Sequence, residues 1–223
     1  MVFFKKTDLA PSSLTLESQK SNGQYNKEDV LILLHQDFKN KCYICESKGI
    51  ESINIEHFAP HKDQNSIRKF NWSNLFWACS HCNQIKSDKE PLLNCIVNQD
   101  GVDTKIRYIL DDDLLSGNKV IIEQLSNDLA TSNTIELLQK VYQGTTPQNS
   151  FQAKEKRNKL YDEMSDFTGL VLKYFRSEDE EKKEDYQREI SKQLSNRSAF
   201  TAFKRWFIKD NEKYKNEFDK YID

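Results

Sequence analysis

Cys42-Tyr-Ile-Cys45 and Cys79-Ser-His-Cys82 are two C-x2-C pairs with 33 residues between them, and they decide how this chain is read. Within the interval lies Ile53-Asn-Ile-Glu56-His57-Phe58-Ala-Pro60-His61. At its end stands Asn71-Trp-Ser-Asn74-Leu-Phe-Trp-Ala-Cys79-Ser-His-Cys82-Asn83-Gln-Ile-Lys86. A C-x2-C turn sets two thiolates on one side of a tight loop, and two such turns complete a tetrahedral zinc site. A redox dithiol needs only one pair, so the doubled motif points to Zn2+ held by Cys42, Cys45, Cys79 and Cys82. Four thiolates leave no position for water, and this zinc is expected to brace the fold without doing catalysis. Cys95 is the remaining cysteine and reads as a small buried apolar residue.

The closed loop presents its contents together. INIEHF alternates as a short strand with His57 near its end. Ser80 to Lys89 reads as a short helix stopped by Pro91, with Asn83 in its first turn or so. A carboxylate, an imidazole and an amide oxygen thus converge. Carboxylate and amide oxygens suit Mg2+ or Mn2+, which keep several waters and can grip a phosphate oxygen. An imidazole beside them can take a proton from water near neutral pH. His61 and His81 read either as contacts to phosphate or to the metal's water shell, or as plain loop positions. Lys86 reads as a cation positioning phosphate or as an exposed lysine.

Outward from this loop, the sequence is largely helical. Residues 1 to 25, with a Ser-rich stretch, read as an extended arm or loop. A helix follows, with Asn26 as N-cap and Val30, Leu31, Leu33, Leu34 and Phe38 on one apolar face. Beyond Pro91 a hairpin is expected, with Asp100-Gly101 as its turn and β-prone pieces at Lys105 to Leu110 and Lys119 to Ile122. A helix then starts near Ser132 to Thr134 and stops at Gly144, and residues 144 to 150 read as a loop. From there the pattern is helical to the end, and SEDEEKKED (177 to 185) reads as a solvated helix start or connection. Arg197 to Lys209 interleaves four cations with aromatics. It reads as a nucleic-acid or partner contact, or as an amphipathic helix with Phe200, Phe203 and Phe207 inward and the cations outward.

The formal charge of -2, from 33 basic and 35 acidic residues, gives no polybasic arm, so strong nonspecific affinity for nucleic acid is not expected. The longest apolar run, Val30 to Leu34, is far short of the roughly 18 residues that span a bilayer, and MVFFKKTDL has no signal-peptide core. No membrane partner is expected, and the chain is read as cytoplasmic.

The order C-x2-C, E-H-F-x-P, W-x-N-L, C-x2-C-N-x2-K resembles the HNH endonuclease family. That resemblance implies an α+β, mostly helical fold: a zinc-braced ββα-metal core, an N-terminal helix and a helical C-terminal region. It implies a nuclease domain over residues 1 to 110 and a helical, partner-docking region over 111 to 223. His57 matches the family's general base, Glu56 the adjacent acidic ligand of a catalytic Mg2+ or Mn2+, and Asn83 the second ligand. Asn74 matches the asparagine that steadies the loop holding the base. Many relatives carry Asp where this chain has Glu56, longer by one methylene. A narrower resemblance, in IEHFAPH, WSNLFWACSHCNQIK and SNTIELLQKVYQGT, is to the PtuB branch of Septu anti-phage systems and some retron operons. It implies DNA as substrate and a PtuA-type ATPase as partner. In the retron setting the partners would be a reverse transcriptase and its RNA/DNA product, with RNA such as tRNA as the alternative substrate. The rival from another class is a nonenzymatic zinc-braced module that binds nucleic acid.

Overall fold

The computed structural model describes residues 1–50, 52–61, 66–111 and 119–222. Residues 112–118 and 223 of the expected C-terminal region therefore lie outside the described residues. In chain order the helices and strands are α1 (Ser12–Ser18), α2 (Glu28–Asp37), β1 (Ile53–His57), α3 (Ser66–Phe70), β2 (Leu75–Cys79), α4 (Ser80–Lys86), α5 (Val102–Lys105), β3 (Ile106–Asp111), β4 (Lys119–Gln124), α6 (Leu129–Gln143), α7 (Pro147–Arg176), α8 (Glu180–Leu194), α9 (Thr201–Lys209) and α10 (Glu212–Phe218). The fold is α+β and mostly helical, with two antiparallel strand pairs, β1–β2 and β3–β4.

The β1–β2 register pairs Ile53 with Cys79 and His57 with Leu75. Every residue of β2 is buried, as its continuous apolar run LFWAC requires. Phe76 packs against Phe38, just after α2, and against Tyr43 of the first knuckle, at ring separations of 5.3 and 4.8 Å. Val30 and Leu34 of α2, with Phe38 just after it, close the same core, whereas Leu31 faces outward rather than joining the expected apolar face. α4 follows β2 without a connecting residue, giving a β–β–α unit. It ends at Lys86, five residues before Pro91, because Ser87 takes φ +47° and turns the chain.

Several expectations are corrected. The first 25 residues are no free arm. Met1, Val2 and Phe4 are buried, the Phe4 amide donates to the Cys95 carbonyl at 2.8 Å, and α1 buries Leu14. A few apolar anchors suffice to hold a segment whose average composition is polar. Asp100-Gly101 is not the hairpin turn. Gly101, at φ +66°, starts α5, and the hairpin is β3–β4, with Ile106 opposite Gln124. α6 begins one turn earlier than expected, where the Asp128 side chain accepts from the Thr131 amide at 2.9 Å. Residues 147 to 150 are helix, not loop: Thr146 caps α7 by accepting from the Asn149 amide, and Pro147 fills the first helical position. Gly144 does end α6. A Cβ there would lie 2.4 Å from Ser150 Cα, so only glycine permits the turn between α6 and α7.

The cations of α9 do not lie opposite the aromatics. Phe200 and Phe203 are buried, and so are Lys204 and Arg205. Lys204 Nζ donates to Glu163, Gln193 and Ser198 at 2.8, 2.6 and 2.8 Å. Arg205 bonds the Leu194 carbonyl at 2.9 Å and Asp103 at 3.1 Å. Neither cation can meet nucleic acid. A buried charge persists only when paired and hydrogen-bonded, and both are.

The helical half grips the first knuckle. Lys41, fully buried, donates to Glu46, to the Asn196 carbonyl and to Thr201 Oγ1 at 3.1, 3.0 and 2.9 Å. The Phe200 amide donates to the Glu46 carbonyl at 3.2 Å, and Tyr142 Oη to the Cys45 carbonyl at 3.1 Å.

Candidate active site and metal centre

The four knuckle cysteines are buried, and their sulfur atoms lie within 4.8 Å of one another. Cys45 and Cys79 sulfurs are 3.9 Å apart. A tetrahedron with Zn–S bonds of about 2.3 Å has edges of about 3.8 Å, so the donor set fits zinc in both chemistry and spacing. The first knuckle turns through Glu46 at φ +58°, with the Cys42 amide bonded to the Ser47 carbonyl at 3.1 Å. The second is the junction of β2 with α4. Lys156 of α7 donates to Cys79 Sγ at 3.3 Å, placing one positive charge beside the thiolates.

A separate cleft of about 330 Å3 is lined by Glu56, His57, Pro60, His61, Asn83, Ser87 and Asp88. It gathers residues from the end of β1, the loop after it, α4 and the turn that ends α4. Glu56, His57 and Asn83 therefore line one cleft. His61 shares the cleft, its ring centre 4.3 Å from that of His57.

His57 is buried, with Tyr25 edge-on at 4.6 Å. Its Nε2 lies 3.0 Å from the Lys69 carbonyl oxygen. A carbonyl has no proton to give, so Nε2 carries the hydrogen and Nδ1 keeps the lone pair. Burial above all, helped by the charges of His61 and Lys86, lowers the His57 pKa to about 4 against the pull of the Lys69 carbonyl. At neutral pH the imidazole is a free base.

Asn74 serves the loop and not the cleft. Its Oδ1 accepts from the Ala59 amide at 2.7 Å, and its Nδ2 donates to the Ala59 and Arg68 carbonyls at 2.9 and 3.0 Å. Both edges of the side chain are committed, fixing the chain that leaves His57.

Lys86 is neither exposed nor available to a phosphate. It is fully buried, with Nζ 2.7 Å from Glu56 Oε1 and 3.1 Å from the His57 carbonyl oxygen. Burial raises the Glu56 pKa and Asp88 adds to the rise, while Lys86 opposes it. One carboxylate oxygen is thus fixed by the lysine. Glu56, Asn83 and Asp88 line the cleft with oxygen donors of the kind hard divalent cations take.

His81 is turned elsewhere. Its Nδ1 meets Gln152 Oε1 and its Nε2 the Val141 carbonyl, each at 2.9 Å, so it ties α4 to α6 and α7. Sequence reasoning overlooked Asp88. The signal available was its place just after the helix that carries Asn83, but only the positive φ of Ser87 brings it back to the cleft.

A comparison with the curated proteins finds no match to the chain. Residues 42–89 match the family model described as HNH endonuclease, a span that starts at Cys42 and ends just beyond Asp88. It contains both knuckles, β1, β2, α4 and every described residue of the cleft. With four sulfurs spaced for zinc, residues 42–89 are similar to an HNH endonuclease domain, a likeness that supports a nuclease function in general, set within a longer and mostly helical chain.

Proposed function

We propose that this chain is a metal-dependent endonuclease that hydrolyses phosphodiester bonds of DNA. The observation that carries the reading is the cleft itself: a neutral imidazole with its proton pinned on Nε2, beside a carboxylate and an amide on two packed elements. Nδ1 of His57 takes a proton from water as the oxygen attacks phosphorus in line. The Lys69 carbonyl stabilises the imidazolium that forms, and Asn74 holds the loop so that the ring does not swing. Glu56 and Asn83 would hold Mg2+ or Mn2+, which when bound supplies charge stabilisation for the phosphorane and the leaving 3′ oxygen. Lys86 keeps Glu56 aimed.

The test is cleavage of labelled DNA by the zinc-loaded protein with Mg2+ or Mn2+, with EDTA, and with His57→Ala. The expected result is divalent-dependent cleavage that His57→Ala abolishes while zinc content and a cooperative thermal melt are retained. Wild-type cleavage by that variant overturns the assignment. Binding without cleavage under any divalent ion favours a nonenzymatic module, and cleavage of RNA alone moves the substrate.

On the wording shared with the PtuB branch, the proposal extends to an effector role in a Septu-type anti-phage complex, with a PtuA-type ATPase docked on the helical half. Co-expression with such an ATPase should give a complex that survives gel filtration. Separate elution at micromolar concentration refutes it.

A further inference from the structure

The turn that carries Asn74 is held from the N-terminal segment. Half-buried Lys6 reaches it with its ammonium: Nζ donates to the Trp72 carbonyl and, at 2.5 Å, to the Leu75 carbonyl, which bracket Ser73 and Asn74. The same Nζ stands 3.9 Å from the centre of the Trp72 ring and 5.4 Å from that of Phe76, and aromatic faces attract a cation. A second tie runs the other way, from Trp72 Nε1 to the Thr7 carbonyl at 2.7 Å. Thr7 is itself fixed to α2, its amide and hydroxyl donating to Asp37 at 2.9 and 2.7 Å. Lys6 therefore grips the turn from an anchored position.

What the turn holds makes this grip matter. The Asn74 carbonyl accepts from the Phe58 amide at 2.9 Å, and the Asn74 side chain binds Ala59 and the Arg68 carbonyl. Phe58 and Ala59 are the first residues after His57. Arg68 precedes Lys69, whose carbonyl pins Nε2 of His57. Leu75, also held by Lys6, pairs with His57 in the β1–β2 register. Through one turn, Lys6 bears on both the backbone and the ring of the histidine, although it does not line the cleft.

We propose that Lys6 is a positioning residue for the reaction: its ammonium clamps the Trp72–Leu75 turn, so that Asn74 keeps His57 and the Lys69 carbonyl in place. The proposal rests on the nuclease reading, and it draws into the working site a segment outside the span that matches the family model. Two carbonyl oxygens and two ring faces call for a cation, and the nearby Asp37 carboxylate is occupied by Thr7. Burial lowers the Lys6 pKa to about 7, against the pull of Asp37 and Cys95. At pH 6 the ammonium is therefore present, while His57, lowered to about 4, is still a free base. Misplacing a reacting group by about 1 Å can cost about a hundredfold in rate, so a turn loosened by a fraction of that should cost about tenfold.

The test uses the full-length zinc-loaded protein with Mn2+ and labelled DNA at pH 6, comparing wild type with Lys6→Met and, as control, with Lys5→Met at the exposed neighbouring lysine. Methionine keeps the aliphatic stem and strands no carboxylate, so the variant should fold. In Lys6→Met kcat should fall about tenfold with KM unchanged, because orientation is lost and substrate binding is not. Lys5→Met should match wild type. Hydrogen exchange followed by NMR gives a readout that catalysis does not enter. In Lys6→Met the Phe58 and Ala59 amides should quicken about tenfold beyond any change at Leu138 and Val141 in the buried face of α6. An unchanged kcat overturns the proposal. So does exchange that quickens equally at all four amides, which marks a lysine that only stabilises the fold. If wild type cuts nothing, the nuclease reading fails by itself, and exchange at Phe58 and Ala59 still decides the clamp. Lys6→Gln, which drops the charge and keeps a donor, replaces Lys6→Met if that variant lacks a cooperative melt, and is judged by the same outcomes.

Discussion

Lys86→Met isolates the buried pair that supports the cleft. Methionine replaces the aliphatic stem with little change of volume, while the ammonium and its bonds to Glu56 and the His57 carbonyl vanish. Removing one partner of a buried pair costs about 3–5 kcal/mol. Glu56 retains 11% side-chain exposure at the cleft edge, so water relieves part of this and the lower end, about 3 kcal/mol, applies near neutral pH. For a chain of this size each kcal/mol moves the melting temperature by about 2–4 °C, which gives a fall of roughly 6–12 °C. The loss must depend on pH. Burial already raises the Glu56 pKa, and without Lys86 it rises further. The folded variant then holds a proton that the unfolded chain releases above its ordinary carboxylate pKa, so its stability falls as pH rises through that window. Thermal unfolding of zinc-loaded wild type and variant in magnesium-free buffer at pH 5.5 and 8 reads the difference, which should widen toward pH 8. Adding Glu56→Gln should remove the pH dependence and recover part of the loss. A drop under about 2 °C with no pH trend would show that Lys86 does not carry the carboxylate.

The acid limb of kcat/KM should lie well below the usual histidine value of about 6.5, because the His57 pKa is lowered to about 4; a midpoint near 6.5 contradicts the neutral buried ring. The same residue should make wild type lose stability as pH falls from about 6.5 toward 4, where the unfolded chain takes up a proton and the folded one does not. His57→Ala should lack that component in a denaturant titration. Lys204→Met should lower the melting temperature by several degrees and leave the DNA affinity of folded protein unchanged, since Lys204 is buried among Glu163, Gln193 and Ser198; weakened binding without destabilisation would contradict its placement. Metal analysis should find one zinc per chain, and Cys79→Ser should lose both the zinc and the cooperative melt. A variant that melts normally without metal would make the cluster dispensable.

The zinc cysteines and the β1–α4 pairing were legible because their chemistry is local: the C-x2-C spacing and the alternation of INIEHF each settle a geometry within a few residues. Lys86, Lys204 and Arg205 were misread for the opposite reason. Lysine and arginine are almost never buried unless paired, and the partners Glu56, Glu163 and Asp103 lie 30 to 102 residues away along the chain. GTTPQNS has the composition of a loop, yet Thr-Pro at the cap and first helical position also opens a helix, and the packing of α7 decided between the two. The N-terminal segment was misread because Val2, Phe4 and Leu14 carry no periodicity. Phe4 packs on Phe38 and bonds the chain at Cys95, and α1, which carries Leu14, packs on α2 and α3, surfaces that local pattern does not encode.

The bonds that link Lys41 and Glu46 to Asn196, Phe200 and Thr201 also set the order of events when the chain is made. Translation proceeds at about 5–20 residues per second, so on the order of 6–20 s separates the appearance of Asp88 from that of α9. During that interval Lys41 lacks two of its three partners, and the first knuckle has no α9 beneath it. The nuclease unit therefore reaches its final packing only when its last helices arrive, and a chain broken off before Thr201 would carry the catalytic residues on an unfinished support.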